Sequence, residues 1–202
     1  MNRWSRAVQG TVALLLGMAL AGPAAALPAP PPPVTPSAAE DAALAARQVV
    51  VRYGGAGKET VAILDIAAPP RAVMAAVMDL PPRIREISGM QSVDVYERAP
   101  GRVGARWIGG VGFLTITFHI LYEFDLDAGW CVYRLDTTKE NTITSSTGSY
   151  QVYAHGGGSR MVYRTVSEGG GATPESLRKR LAEQSARQMM EGIRKRSERP
   201  AG

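Results

Sequence analysis

The chain has 202 residues, a formal net charge of +5 and one cysteine, so it suits a single domain with one substantial core and excludes a disulfide framework. Its basicity is local: from Pro174 onward eight Lys or Arg stand against four acidic residues, whereas residues 27–173 carry thirteen basic and fourteen acidic ones. A basic C-terminal segment fits transient contact with an anionic membrane surface, or a solvated helix face laced with charge pairs, and gives no reason to expect nucleic acid as a partner.

Residues 1–26 read as a signal peptide. Arg3 and Arg6 precede an apolar run from Val12 to Ala21, and the small triplet Ala24-Ala25-Ala26 follows. The run is shorter than the roughly 20 apolar residues that a membrane span needs. The expectation is an exported protein, periplasmic or secreted. Residues 27–39, with Pro28, Pro30 to Pro33 and Pro36, read as a proline-rich, semi-rigid linker. The folded domain is expected over residues 40–202.

Within it, Gln48 to Tyr53 is a β-rich run, Gly54-Gly55-Ala56-Gly57 a turn, and Val61 to Ile66 an apolar strand, together a hairpin. Pro69-Pro70 opens a short helix with the apolar stripe Val73, Met74, Val77 and Met78. Pro81-Pro82 ends it and starts a second short helix to Ile87, presenting Ile84 and Ile87. From Ser92 to Glu168 the pattern is strand and turn. The most regular run is Phe113 to Asp125: Leu114, Ile116, Phe118, Ile120, Tyr122 and Phe124 alternate with mainly polar neighbours, which predicts one apolar face. Strands over Trp130 to Asp136, Ile143 to Ala154 and Arg160 to Ser167 follow. Thr173 as N-cap and Pro174 at the first helical position then open a long helix, with Leu177, Leu181, Ala182, Ala186, Met189, Met190 and Ile193 at helical spacing.

The segment Ile66-Ala67-Ala68-Pro69-Pro70-Arg71-Ala72-Val73 resembles the strand-Ala-Pro-helix entry of the START-like, or SRPBCC, superfamily. Met78-Asp79-Leu80-Pro81-Pro82-Arg83-Ile84 is similar to its following Asp and proline turn. With the segment Trp107 to Phe124 and the terminal helix, the resemblance covers about residues 58–197, nearest to the polyketide cyclase and coenzyme-Q-binding-like branch. It implies an α+β helix-grip fold: a curved antiparallel sheet wrapped around a long C-terminal helix, two short helices after the first strand, and an apolar cavity between sheet and helix. Three features depart from the family pattern. Ile84 and Ile87 stand where an aromatic residue is common, the leading hairpin is extra, and an export signal is unusual.

The resemblance implies a hydrophobic small molecule as ligand, a lipid, isoprenoid or quinone-like compound, and possible carriage between membranes. The expected ligand-binding residues are Trp107, Leu114, Ile116, Phe118, Ile120, Tyr122, Phe124, Tyr163, Met189 and Met190; Arg194, Lys195, Arg196 and Arg199 are the expected membrane contacts. No cofactor is expected, and His119 and His155 fall in no metal-ligand spacing. Cys131, inside an apolar run, reads as a buried inert thiol. No nucleophile elbow or acid-base pair is defined by spacing, so binding is preferred to catalysis. A cyclase- or hydrolase-like enzyme using Tyr122, Arg134, Tyr150 and Tyr163 is one alternative, and a protein-interaction module is the other.

Overall fold

A computed structural model describes residues 34–55, 58–111, 114–169 and 175–199. The signal-peptide reading, most of the linker, part of the first glycine turn, and Thr173 and Pro174 lie outside the described residues. Helix α1 spans Ala38–Ala45 and is followed by strands β1 (Val50–Gly54) and β2 (Glu59–Ile66). Helix α2 (Pro70–Met78) and a 3₁₀ turn (Pro81–Arg85) lead to β3 (Met90–Ala99) and β4 (Arg102–Val111). Strands β5 (Leu114–Asp125), β6 (Trp130–Leu135), β7 (Ile143–His155) and β8 (Gly158–Gly169) precede the long helix α3 (Glu175–Ser197).

The eight strands form one antiparallel sheet in the order β1-β2-β8-β7-β6-β5-β4-β3. Neighbours in the sheet are neighbours in sequence except where β2 pairs with β8, which joins the leading hairpin to the end of the meander. The two short helices therefore follow the second strand of the chain, because the hairpin supplies one strand before them.

The main core lies between one face of this sheet and helices α2 and α3. From β2, Ala62 and Leu64 point into it; from α2, Val73, Met74 and Val77; from α3, Ala186, Met189, Met190 and Ile193. Period two on the strands and roughly three and a half on the helices bring these residues to one surface. Ile63, one residue off the β2 pattern, points the other way and packs with Leu44 and Val162 in a smaller cluster under α1. The sequence reading does not anticipate that helix, although Ser37 and Glu40 form a capping box: Glu40 N–H donates to Ser37 Oγ at 3.3 Å, and Ser37 N–H donates to Glu40 Oε2 at 2.7 Å. Ordered structure thus enters the segment read as linker.

The two halves of α3 are held differently. Its C-terminal half is fastened to its neighbours. Arg196 donates to Glu86 at 2.6 Å and to the Ala76 carbonyl at 2.7 Å, while Arg187 and Arg194 each donate at 2.6 Å to the carbonyls of Val49 and Arg47. Just past the helix, Glu198 accepts from Arg47 and from the Ala67 amide. Gly192 belongs to this arrangement, since a Cβ there would run into the Glu86 carboxylate. A helix-interior glycine costs about 1 kcal/mol relative to alanine; here it keeps the place of the carboxylate that holds Arg196. Residues 175–185 contain no fully buried side chain, and Leu177 is 44% exposed.

Candidate functional site: a hydroxyl-lined groove under the last helix

Four strands each contribute a tyrosine to the face beneath α3. Tyr122 pairs with Tyr133 across β5 and β6, and Tyr150 with Tyr163 across β7 and β8. The ring centroids of Tyr150 and Tyr163 are 4.9 Å apart, those of Tyr122 and Tyr133 5.7 Å, and those of Tyr133 and Tyr150 6.1 Å. Opposite Tyr133 stands Gly148, where a Cβ would collide with the tyrosine ring. The glycine clears the space in which that ring lies.

A row of hydroxyls continues from the tyrosines. Tyr133 Oη lies 3.1 Å from Tyr163 Oη and donates to Thr165 Oγ1 at 2.7 Å. Thr165 Oγ1 is 3.5 Å from Ser167 Oγ, which is 2.9 Å from Ser146 Oγ. Tyr163, Thr165 and Ser167 alternate along β8 and so share one face. Burial pushes the phenols of Tyr122, Tyr133 and Tyr150 above the usual tyrosine range. At neutral pH they are uncharged hydrogen-bonding groups, not bases.

Between this face and the N-terminal half of α3 lies a groove of about 660 Å³. Ile87, Phe118, Leu181, Ala182, Ala186 and Met189 give it an apolar lining. Tyr53, Thr60, Tyr133, Thr144, Tyr163, Thr165, Ser167 and Ser185 give it hydroxyls, and Lys58, Glu168 and Arg178 add charge. An exposed ion pair between Lys58 and Glu175, at 3.1 Å, ties the hairpin to the start of α3. The size is that of a small-molecule pocket, but the lining is more polar than the expected apolar cavity.

Of the expected ligand-binding residues, Phe118, Tyr163 and Met189 line the groove. The others are placed elsewhere. Trp107 is buried behind Phe118, the rings stacked at 6.4 Å, and its Nε1–H donates to Tyr122 Oη at 3.1 Å. Ile120, Tyr122 and Met190 are closed into the core, and Phe124 packs against it outside the groove. Ile116 is half-buried and also outside the lining; the side chain of Leu114 lies outside the described residues. Strand β5 is twelve residues long, so an alternating face identifies what points inward without saying which part meets a void.

The polar candidates divide similarly. Arg134 is exposed on the outer face, and its neighbour Tyr133 takes the inward place. Cys131 is buried, and burial pushes its thiol up to about 12. On the outer face His119 sits against Tyr96 and Asn141, and His155 lies 3.8 Å from Asp65. Among the described residues no three His, Cys, Asp or Glu side chains converge as metal ligands would.

At the basic helix end, Arg196 is bound to Glu86, and Arg194 to Glu191 and a carbonyl, with side chains only 13% and 16% exposed. Their guanidiniums fasten the helix, which leaves Lys195 and Arg199 as the exposed members of the set. The sequence reading misses Tyr133, Thr165, Ser167 and Arg83. The alternation Cys131, Tyr133, Leu135 carries the first signal; an arginine two residues into a proline turn carries none that distinguishes inside from outside.

No family profile matches the chain, and no curated protein matches it. Solved structures do. A protein from Thermus thermophilus superimposes with a TM-score of 0.61 at 20% identity, over 69% of this chain and 96% of that one. A START superfamily protein from Mycobacterium smegmatis gives 0.58 at 13% identity, over 69% and 97%. A STAR-related lipid transfer protein fragment from Xanthomonas axonopodis gives 0.57 at 11% identity, over 75% and 99%. With the antiparallel sheet, the two short helices and the long terminal helix described above, these superpositions establish that the chain has the helix-grip fold of the START-like superfamily.

Proposed function

We propose that this protein binds a hydrophobic small molecule, a lipid, isoprenoid or quinone-like compound, in the groove between the sheet and the N-terminal half of α3. The observation that carries the reading is the groove itself. Its volume of about 660 Å³ is of ligand size, and Phe118, Leu181 and Met189 supply apolar surface beside a row of hydroxyls. Removal of ligand surface from water contributes about 25 cal/mol per Å². The hydroxyls orient any oxygen the ligand carries. Methionine at position 189 adapts to irregular shapes. The fold shared with a lipid transfer protein points the same way. Export, read from residues 1–26, and the exposed cations Lys195 and Arg199 complete the proposal as a carrier that meets anionic membranes outside the cytoplasm.

The test is native mass spectrometry of the domain purified from its own envelope, with solvent extraction of whatever accompanies it. A stoichiometric hydrophobic compound that is lost in Phe118→Asp supports the reading. A domain that is repeatedly empty and takes up no added lipid overturns it.

A further inference from the structure

Behind the inner wall of the groove lies a cation that no carboxylate among the described residues faces. Arg83, in the 3₁₀ turn, is 3% exposed. Its Nη1 donates to Tyr150 Oη at 3.2 Å, its Nη2 donates to the Val77 carbonyl, and its guanidinium carbon lies 5.2 Å from the centroid of the Tyr150 ring. Nε is buried without a hydrogen-bond partner. Among the described residues, no carboxylate comes within ion-pair distance of it.

The chain treats its other enclosed arginines differently. Arg160, 6% exposed, is held by both oxygens of Asp65 at 2.7 and 2.9 Å and by Asp41 at 3.0 Å. Arg196 has Glu86 and Asp79. A guanidinium does not lose its proton, so an enclosed one without an anion retains most of its desolvation cost.

The hydrogen bond that leaves Arg83 points toward the groove. Tyr150 Oη accepts from Arg83 and donates its own hydrogen to Met189 Sδ at 3.0 Å. A thioether is a weak acceptor on a flexible stem. Met189 lines the groove, and Tyr163, its ring tilted against that of Tyr150 at 4.9 Å, lines it alongside. A polarised hydroxyl is therefore separated from the ligand space by one movable sulfur.

We propose that the groove selects ligands that carry a carboxylate. One carboxylate oxygen takes the place of the Met189 sulfur, accepts the Tyr150 hydrogen bond, and has Arg83 as its counter-ion. The proposal rests on the groove being a hydrophobic-ligand site and names the polar end of what it holds. Hydrogen bonds involving a charged partner are the stronger ones, and the hydroxyl stands between the two charges.

The experiment is a fluorescence titration of the domain with cis-parinaric acid and with its methyl ester at neutral pH. The acid is expected to bind about tenfold or more tighter than the ester. Arg83→Met brings the acid-to-ester ratio close to one. Should that variant fail to fold, Tyr150→Phe keeps the ring, removes the hydroxyl and reduces the ratio in the same direction. Equal affinity for acid and ester in the unaltered domain overturns the carboxylate preference and leaves the binding reading standing. So does a preference that survives both variants, or one abolished by Arg178→Gln, which would place the carboxylate at the charged side of the groove. If neither probe binds, both readings fall.

Discussion

The two halves of α3 belong to one continuous helix, yet they are built for different tasks. Residues 186–197 bury Ala186, Met189, Met190 and Ile193 and tie Arg187, Arg194 and Arg196 to carbonyls and carboxylates of other elements. Residues 175–185 bury nothing fully, and their apolar positions Leu181 and Ala182 face the groove. Packing that closes on itself gives stability. A face that stops short of the sheet leaves room for a ligand and gives little stability until one arrives. The difference is one of what lies opposite, because the same helical spacing of small and apolar residues runs through both halves.

Substitutions separate the two tasks. The largest effect is expected at the anchor: Ile193→Ala should cost about 2–5 kcal/mol in denaturant unfolding, because the side chain is fully buried. Leu181→Ala should change stability by about 0.5 kcal/mol or less while weakening hydrophobic-probe binding. Equal losses at both positions would break the comparison.

Next in size is Glu86→Ala, expected to cost about 1–3 kcal/mol, a range reduced for partial exposure of the ion pair. A loss near zero would show that the Arg196 network holds nothing. Gly148→Ala tests the groove floor. Its Cβ would run into both the Tyr133 ring and the backbone carbonyl of Arg164 on the neighbouring strand, so probe affinity should fall together with stability, which should drop by about 1–3 kcal/mol; unchanged binding would remove Tyr133 from the site.

The smallest effect is expected far from α3. The side-chain hydrogen bond from Arg52, and next the Ser37 amide, hold the Glu40 carboxyl down, from its ordinary 4.5 to about 2. A depressed carboxylate contributes stability above its unfolded value and loses it as pH falls through the folded one. Attachment of α1 should therefore weaken between pH 4.5 and 2, visible as faster amide exchange in residues 38–45 ahead of the sheet. Loss of that protection already above pH 5 would contradict the assignment.

The sequence made the fold readable because long-range order there follows from local pattern. The alternation in β5, the stripe Val73, Met74, Val77 of α2 and the spacing of Met190 and Ile193 each point to a single buried face. The groove was less legible. A void is a failure of two surfaces to meet, and Phe118 inside it and Ile120 outside it belong to the same alternating row. Polarity gives no inward signal at β8, where Thr165 and Ser167 turn toward the ligand space. Arg83 was hidden most deeply. Arginine is seldom enclosed, and the proline turn in which it sits has no periodicity long enough to assign a face. The capping box at Ser37 was legible but lay next to a proline run that reads as linker.

The central claim is that one helix carries both an anchor and a cover. Hydrogen exchange along α3, with and without saturating cis-parinaric acid, tests it most directly. The account predicts slow exchange in residues 186–197 under both conditions, and faster exchange in residues 175–185 that slows when the probe binds. Uniform exchange along the helix, or ligand protection confined to regions away from residues 175–185, would contradict it.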